Sequence, residues 1–328
     1  MENIIKTTSL QKGDLIGIYS PSSSIGEKLM KNYNRGKQLL FNAGYRLLEA
    51  PHTFEQIAHY SSKPENKVSD FMFLLNHPDV KAILPTIGGT TSYQMLPLID
   101  FSKIKKILKE KAIMIFGFSD NSLLASIITN YCNYVTFHGH SDVVFGLGDL
   151  ADEETMQTFQ SKGEYTKKYF FDSLEGRYSI GPIKKLSEWK ILKKGNAEGK
   201  LLGGNIDVLQ ILHGTPFALD WENCIFYWEA CYLDLHRVDL ALASFALTGA
   251  LSKISGMVVG KSNTLKETFY TKYESLEEII LRHCEKYNFP IIVDADFGHN
   301  VECCMLPNGL RASIKGDALY LLESPYSG

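Results

Sequence analysis

Ser119 stands in Gly117-Phe118-Ser119-Asp120, between an apolar run, Ala112–Phe116, and a helix-like stretch, Asn121–Tyr131. A serine at a sharp strand-to-helix turn has its hydroxyl held clear of the sheet. The free N–H groups and positive dipole end of the following helix lie beside it. That arrangement suits attack on a carbonyl. It suits equally well an ordinary N-cap, a very common use of serine at a helix start. Asn121 also replaces the second glycine of the G-x-S-x-G form.

A nucleophilic serine needs a base, a group that orients the base, and donors for the oxyanion. Two ionisable side chains end apolar runs. Glu229 follows Ile225–Trp228, and His299 closes Ala295-Asp296-Phe297-Gly298-His299 just after Ile291–Val293. Each has a plainer alternative, a solvent-facing strand-end carboxylate for Glu229 and a loop imidazole bonded to backbone for His299. Gly88-Gly89 follows the run Ala82–Thr86 and can present N–H groups to an anion or form a simple tight turn. His138-Gly139-His140, with Asp142, brings two imidazoles to one side of a strand. No further ligands at clear spacing accompany them, so no metal site is expected. Gly203-Gly204-Asn205 lacks the spacing of a phosphate loop and reads as a turn.

The elements that must position these residues alternate. Asp14–Ser20, Tyr45–Glu49, Ala82–Thr86 and Ala112–Phe116 read as strands, with helices over Lys28–Gly44, Lys67–Asn76 and Asn121–Tyr131. This predicts an α/β fold whose N-terminal domain, residues 1–150, is a mostly parallel sheet flanked by helices. Ligands of such sheets bind beyond the carboxyl ends of the strands, where Gly88-Gly89 and Ser119 fall. Residues 151–194 are rich in Lys, Glu, Ser and Tyr and read as a linker and surface loop. Residues 195–328 form a second, β-rich α/β domain. In it Cys224–Trp228, Gly256–Gly260, Ile291–Val293 and parts of Leu310–Leu322 are strands, and Arg237–Thr248 and Leu276–Tyr287 are helices.

The 328 residues carry a net charge of −3 and no long basic stretch, which excludes a nucleic-acid polymer as the expected partner. The first 24 residues lack the pattern of a signal peptide and no segment is apolar enough to cross a bilayer, so a cytoplasmic protein is expected. Six scattered cysteines read as free thiols.

Taken in order along the chain, several segments resemble the LD-carboxypeptidase and microcin C self-immunity family of serine peptidases. They are Lys12-Gly13-Asp14, Ser20-Pro21-Ser22, His77–Ile83 with Thr86-Ile87-Gly88-Gly89, Gly117–Asp120, Thr136–Gly139, Gly199–Asn205 and Gly214-Thr215-Pro216. The Thr-Ile-Gly-Gly form leans toward the immunity branch. The resemblance implies a triad of Ser119 as nucleophile, His299 as base and Glu229 as the acidic member. It implies an oxyanion site built from the N–H of Asp120 and one of Gly88 or Gly89. It implies no cofactor and no metal, a small peptide or peptide-nucleotide as substrate, and a homodimer. Trp189 matches the loop tryptophan that stacks on adenine in the immunity branch. Three features depart from the family pattern. Ala230-Cys231 follows the triad Glu where a second acid is common, His140 stands in place of a usual Pro, and the Phe170–Trp189 segment is short. Two activities are therefore expected to compete, hydrolysis of an aminoacyl or peptidyl nucleotide of the microcin C type and cleavage of a murein tetrapeptide. A third alternative is an inactive ligand-binding protein of the same fold.

Overall fold

The computed structural model describes residues 3–151, 163–231, 234–262 and 274–327. Its contacts fall into two compact units. One comprises Met1–Tyr178, Met305–Pro307 and Pro325–Gly328, and the other Ser179–Cys304 and Asn308–Ser324.

The first unit is a parallel sheet wrapped by helices. Its strands are β1 (Leu15–Tyr19), β2 (Arg46–Glu49), β3 (Val80–Pro85), β4 (Met114–Gly117) and β5 (Thr136–His138). They lie in the order β2-β1-β3-β4-β5, every neighbouring pair parallel, and the late strand Leu306–Asn308 borders β5. β1 is buried along its whole length, as expected for a strand covered on both faces. The helices are α1 (Gly26–Asn42), α2 (Pro64–Asn76), α3 (Phe101–Lys111), α4 (Ser122–Cys132) and α5 (Glu164–Leu174). α1 turns Tyr33, Gly36 and Leu40 inward, one stripe of an amphipathic helix. Asp100 caps α3, accepting from the N–H groups of Ser102 and Lys103 at 3.0 and 3.1 Å. The segment expected to link the domains is not all loop. α5 falls in the first unit because Phe170 and Leu174 have apolar faces to bury.

The second unit is built on four adjacent parallel strands, β8 (Asn196–Asn205), β9 (Cys224–Glu229), β10 (Gly256–Gly260) and β11 (Ile291–Ala295). Antiparallel strands extend both edges. Arg311–Lys315 and Ala318–Leu321 continue from β8 to the short β6 (Gly181–Pro182), and β7 (Lys190–Lys193) borders β11. The helices α6 (Leu235–Leu247) and α7 (Leu276–Cys284) lie in this unit. Gly203-Gly204-Asn205, read from sequence as a turn, is instead the last part of β8. The glycine is there for space. A Cβ on Gly203 would lie 1.7 Å from the carbonyl oxygen of Tyr227 on β9. Asn205 then leaves the strand and caps the short helix Ile206–Leu209.

Candidate active site

In the first unit Ser119 follows β4 directly and opens a single 3-10 turn, Ser119–Asn121, that runs into α4. Its backbone is left-handed, with φ +55°. A non-glycine residue holds this conformation only where its surroundings impose it, at a cost of order 1–3 kcal/mol. The surroundings are visible. The Asp120 carboxylate, 2 % exposed, accepts from Ser22 Oγ at 2.5 Å and from the Ser92 N–H at 2.8 Å. Ser92 Oγ donates to the Asp120 carbonyl at 3.0 Å. Asn121 Nδ2 donates to the Ile87 carbonyl at 3.0 Å, and Ser122 Oγ to that of Ser119 at 2.7 Å. Gly117 lets the strand end tuck under the helix start, since a Cβ there would lie 2.4 Å from the Asn121 carbonyl oxygen. Asn121 thus fills the position of the missing second glycine and acts as a tie.

Gly88 runs alongside this turn. A Cβ on it would come within 2.9 Å of Ser119 Oγ and 3.9 Å of the Asp120 nitrogen. The volume that a side chain would occupy is thus the volume between the hydroxyl and that amide. Gly89, at φ +142°, passes close over Ser22 and Ser23 in a conformation that favours glycine. The β1, β3 and β4 exits therefore meet at Ser119, where a doubly wound sheet places its ligands. His138 ends β5, fully buried, and both it and His140 pack their rings near Phe118, at 5.4 and 4.3 Å.

In the second unit the exits of the four parallel strands carry the other candidates. Glu229, at the end of β9, is fully buried, and Asn205 is its register partner on β8. Glu229 Oε1 accepts from Asn205 Nδ2 at 2.9 Å, and Oε2 lies 2.6 Å from His299 Nδ1. A carboxylate on Nδ1 fixes which ring nitrogen faces outward. Burial opposes charging of the imidazole, but the Glu229 charge and the hydrogen bonds to Cys231 and Glu229 outweigh it. His299 therefore titrates well above the usual imidazole range. Cys231 lies two residues beyond Glu229. The structure makes it a neighbour of the imidazole.

The loop that carries His299 is tied down by Asp296, whose side chain is buried. Its carboxylate accepts from the N–H groups of Leu186 and Ser187 at 2.8 and 3.1 Å, from Ser187 Oγ at 2.6 Å, from Trp189 Nε1 at 2.8 Å and from Lys261 Nζ at 2.6 Å. Burial works against the charge, and the bonds from Lys261, Ser187, Trp189 and Leu186 more than offset it, so the carboxyl lies below its ordinary range. Trp189, expected to offer its face to a base, is 2 % exposed, with its N–H donated to Asp296 and Lys185 Nζ 5.6 Å from the ring centroid. As placed it is an internal strut. The sequence assigns no site role to Asn205, Asp296 or Cys231. The only signal for Asn205 was its place in Gly203-Gly204-Asn205, and the other two have partners distant along the chain.

A strained serine thus stands at a strand exit in one unit, and a carboxylate-oriented imidazole at a strand exit in the other. The chain belongs to the LD-carboxypeptidase family: residues 16–139 match the model of its N-terminal domain and residues 198–314 that of its C-terminal domain. It is a serine-type carboxypeptidase or amidohydrolase of that family. The protein is similar to YocD of Bacillus subtilis, which carries a carboxypeptidase name, at 28 % identity over 92 % of this chain and 93 % of that one. A Bacillus subtilis protein named for murein peptide carboxypeptidase activity is 26 % identical over 94 % and 91 % of the two chains. The microcin C7 self-immunity protein MccF of Escherichia coli is 26 % identical over 94 % and 92 %. Among solved structures, MccF in complex with glutamyl sulfamoyl guanosine superposes with a TM-score of 0.84 at 20 % identity, over 98 % of this chain and 99 % of that one. An MccF-like protein of Bacillus anthracis does so with 0.82 at 26 %, over 97 % and 99 %. Among the described residues no helix is long and apolar enough to cross a membrane.

Proposed function

We propose that Ser119, His299 and Glu229 form one triad that hydrolyses an amide bond in an aminoacyl or peptidyl nucleotide. The observation that carries this reading is the Glu229–His299 pair at 2.6 Å. A buried carboxylate on Nδ1 leaves Nε2 to take a proton from a serine hydroxyl and later to give it to the leaving amine. Ser119 attacks the carbonyl, and the oxygen moves into the space beside Gly88. There the Asp120 N–H and a glycine N–H, from Gly88 or Gly89, receive the developing charge. Donors of this kind contribute about 3–4 kcal/mol each in comparable sites. Collapse of the tetrahedral species expels the amine and leaves an acyl group on Ser119. Water, activated by His299, then removes it.

The nucleotide class is favoured by Thr86-Ile87-Gly88-Gly89 and by the similarity to MccF, a protein solved with glutamyl sulfamoyl guanosine. The murein tetrapeptide is the second reading. It is favoured by the placement of Trp189, which as a buried strut gives no stacking platform. Product analysis by mass spectrometry, with an aspartyl-nucleotide amide and a murein tetrapeptide offered side by side, separates the two. Release of the free amino acid from the nucleotide, with the tetrapeptide intact, is the expected result. Cleavage of the tetrapeptide alone moves the assignment to LD-carboxypeptidase. Cleavage of neither substrate, in a folded protein, leaves the inactive binding protein.

A further inference from the structure

α2 buries a lysine that the triad does not use. Lys67 is 1 % exposed. Its Nζ donates to Thr91 Oγ1 at 3.0 Å, to Gln94 Oε1 at 3.1 Å and to the Thr91 carbonyl at 3.4 Å, and it lies 5.6 Å from the centroid of the Tyr60 ring. None of these partners carries a charge, and an ammonium withdrawn from water needs one. The next carboxylate along α2, Asp70, is taken by His52, whose Nδ1 lies 2.7 Å from it.

The carboxylate whose charge acts on the Lys67 ammonium is Asp120, in the turn that carries Ser119 and itself 2 % exposed. Burial pulls the Lys67 ammonium down to about 8, and the Asp120 charge acts against that fall. The two are joined by a short relay. The Thr91 N–H donates to Ser22 Oγ at 3.2 Å, Thr91 Oγ1 to the Ser22 carbonyl at 3.2 Å, and Ser22 Oγ to Asp120 Oδ2 at 2.5 Å. Asp120 Oδ2 also holds the Ser92 N–H. The same carboxylate thus fixes the turn that carries Ser119 at φ +55°.

We propose that Lys67 is a positioning residue for the nucleophile: a buried counter-ion, tied to the Asp120 carboxylate through Thr91 and Ser22, that locks the turn in which Ser119 is presented. Without the cation Asp120 is left as an uncompensated buried charge. The Thr91–Ser22 link then loses its anchor and water is drawn toward the carboxylate, so its acceptor bonds to Ser22 and Ser92 change. The oxyanion donor at the Asp120 nitrogen moves with the turn. This inference rests on Ser119 being the nucleophile.

The test is the rate of fluorophosphonate labelling at Ser119, followed by peptide mapping, together with kcat and KM for the cleaved substrate. It compares wild type, K67M, D120N and the double variant K67M/D120N, with a thermal melt of each. A displacement of about 1 Å at a reacting group costs about a hundredfold, so K67M should lose about tenfold to a hundredfold in labelling and kcat, with KM held within about twofold. A structural filler would not be rescued by removing a charge elsewhere. A counter-ion should be, so K67M/D120N should label at least about tenfold faster than K67M. If K67M is too unstable to purify, the double variant is compared with D120N. Equal labelling supports the proposal, and a further loss of tenfold or more overturns it. A wild type that labels and turns over while K67M matches it, or while K67M/D120N is no better than K67M, overturns this inference alone. A wild type that neither labels at Ser119 nor turns over overturns the nucleophile assignment and this inference with it.

Discussion

Two residues test the chemistry at its own scale. Gly88 has an ordinary φ, so alanine fits its backbone, but the methyl group would stand 2.9 Å from Ser119 Oγ. G88A should therefore lower kcat/KM by about a hundredfold or more through misplacement of reacting groups. Its melting temperature should stay within a few degrees of wild type. Unchanged turnover in G88A would remove the oxyanion from this place. Glu229 is tested through pH. The base proposed for the reaction, His299, can take a proton only when neutral, and Glu229 holds its pKa above the usual range. The acid limb of kcat/KM should therefore lie above about 6.5, the unperturbed imidazole value. In E229Q the charge is gone and burial, which disfavours the cation, remains. The residual activity should then show its acid limb displaced to lower pH. A limb that does not move would separate Glu229 from the titration of the base.

At the scale of elements, legibility followed local signals. Gly256–Gly260 was read with its boundaries intact, because a short apolar run between polar neighbours has few alternatives. α2 began three residues earlier than read, at Pro64, a residue suited to the first helical turn. α3 was missed although Asp100 supplies a cap and Ile104, Ile107 and Leu108 supply the stripe; its five lysines among eleven residues masked that spacing. β6 and β7 were not legible, since two- to four-residue edge strands carry no alternation. Ser119, Glu229 and His299 sit at or just beyond the ends of apolar runs, a position that also suits plainer roles; the family resemblance singles them out, and two of them meet. Asp296 could not be named, because its partners lie 35 and 107 to 110 positions away in sequence. It gives Trp189 a role that sequence position alone did not suggest. W189F keeps an aromatic ring but loses the N–H and the volume of the five-membered ring, leaving a buried carboxylate short of one donor, and should cost at least about 1–3 kcal/mol in denaturant unfolding. W189A should cost about 3–5 kcal/mol, the range for emptying a large aromatic site. Whatever activity these variants retain should fall alike on a nucleotide conjugate and a murein peptide. A W189A protein as stable as wild type that has lost only the nucleotide conjugate would restore the base-stacking role.

At the scale of the whole molecule, the Ser119 turn belongs to one compact unit and the Glu229–His299 pair to the other. If residues of both act as one catalytic unit, as proposed, a double-mutant cycle measures it directly. Turnover of the confirmed substrate is compared in wild type, S119A, H299A and S119A/H299A, each shown by its melt to be folded. Members of a triad are strongly non-additive, since losing one disables the others. S119A and H299A should each fall to a common low floor, by about 10⁴-fold or more, and the double variant should fall no further. Losses that multiply in the double variant, or an S119A protein that keeps near-normal turnover, would contradict the proposed triad.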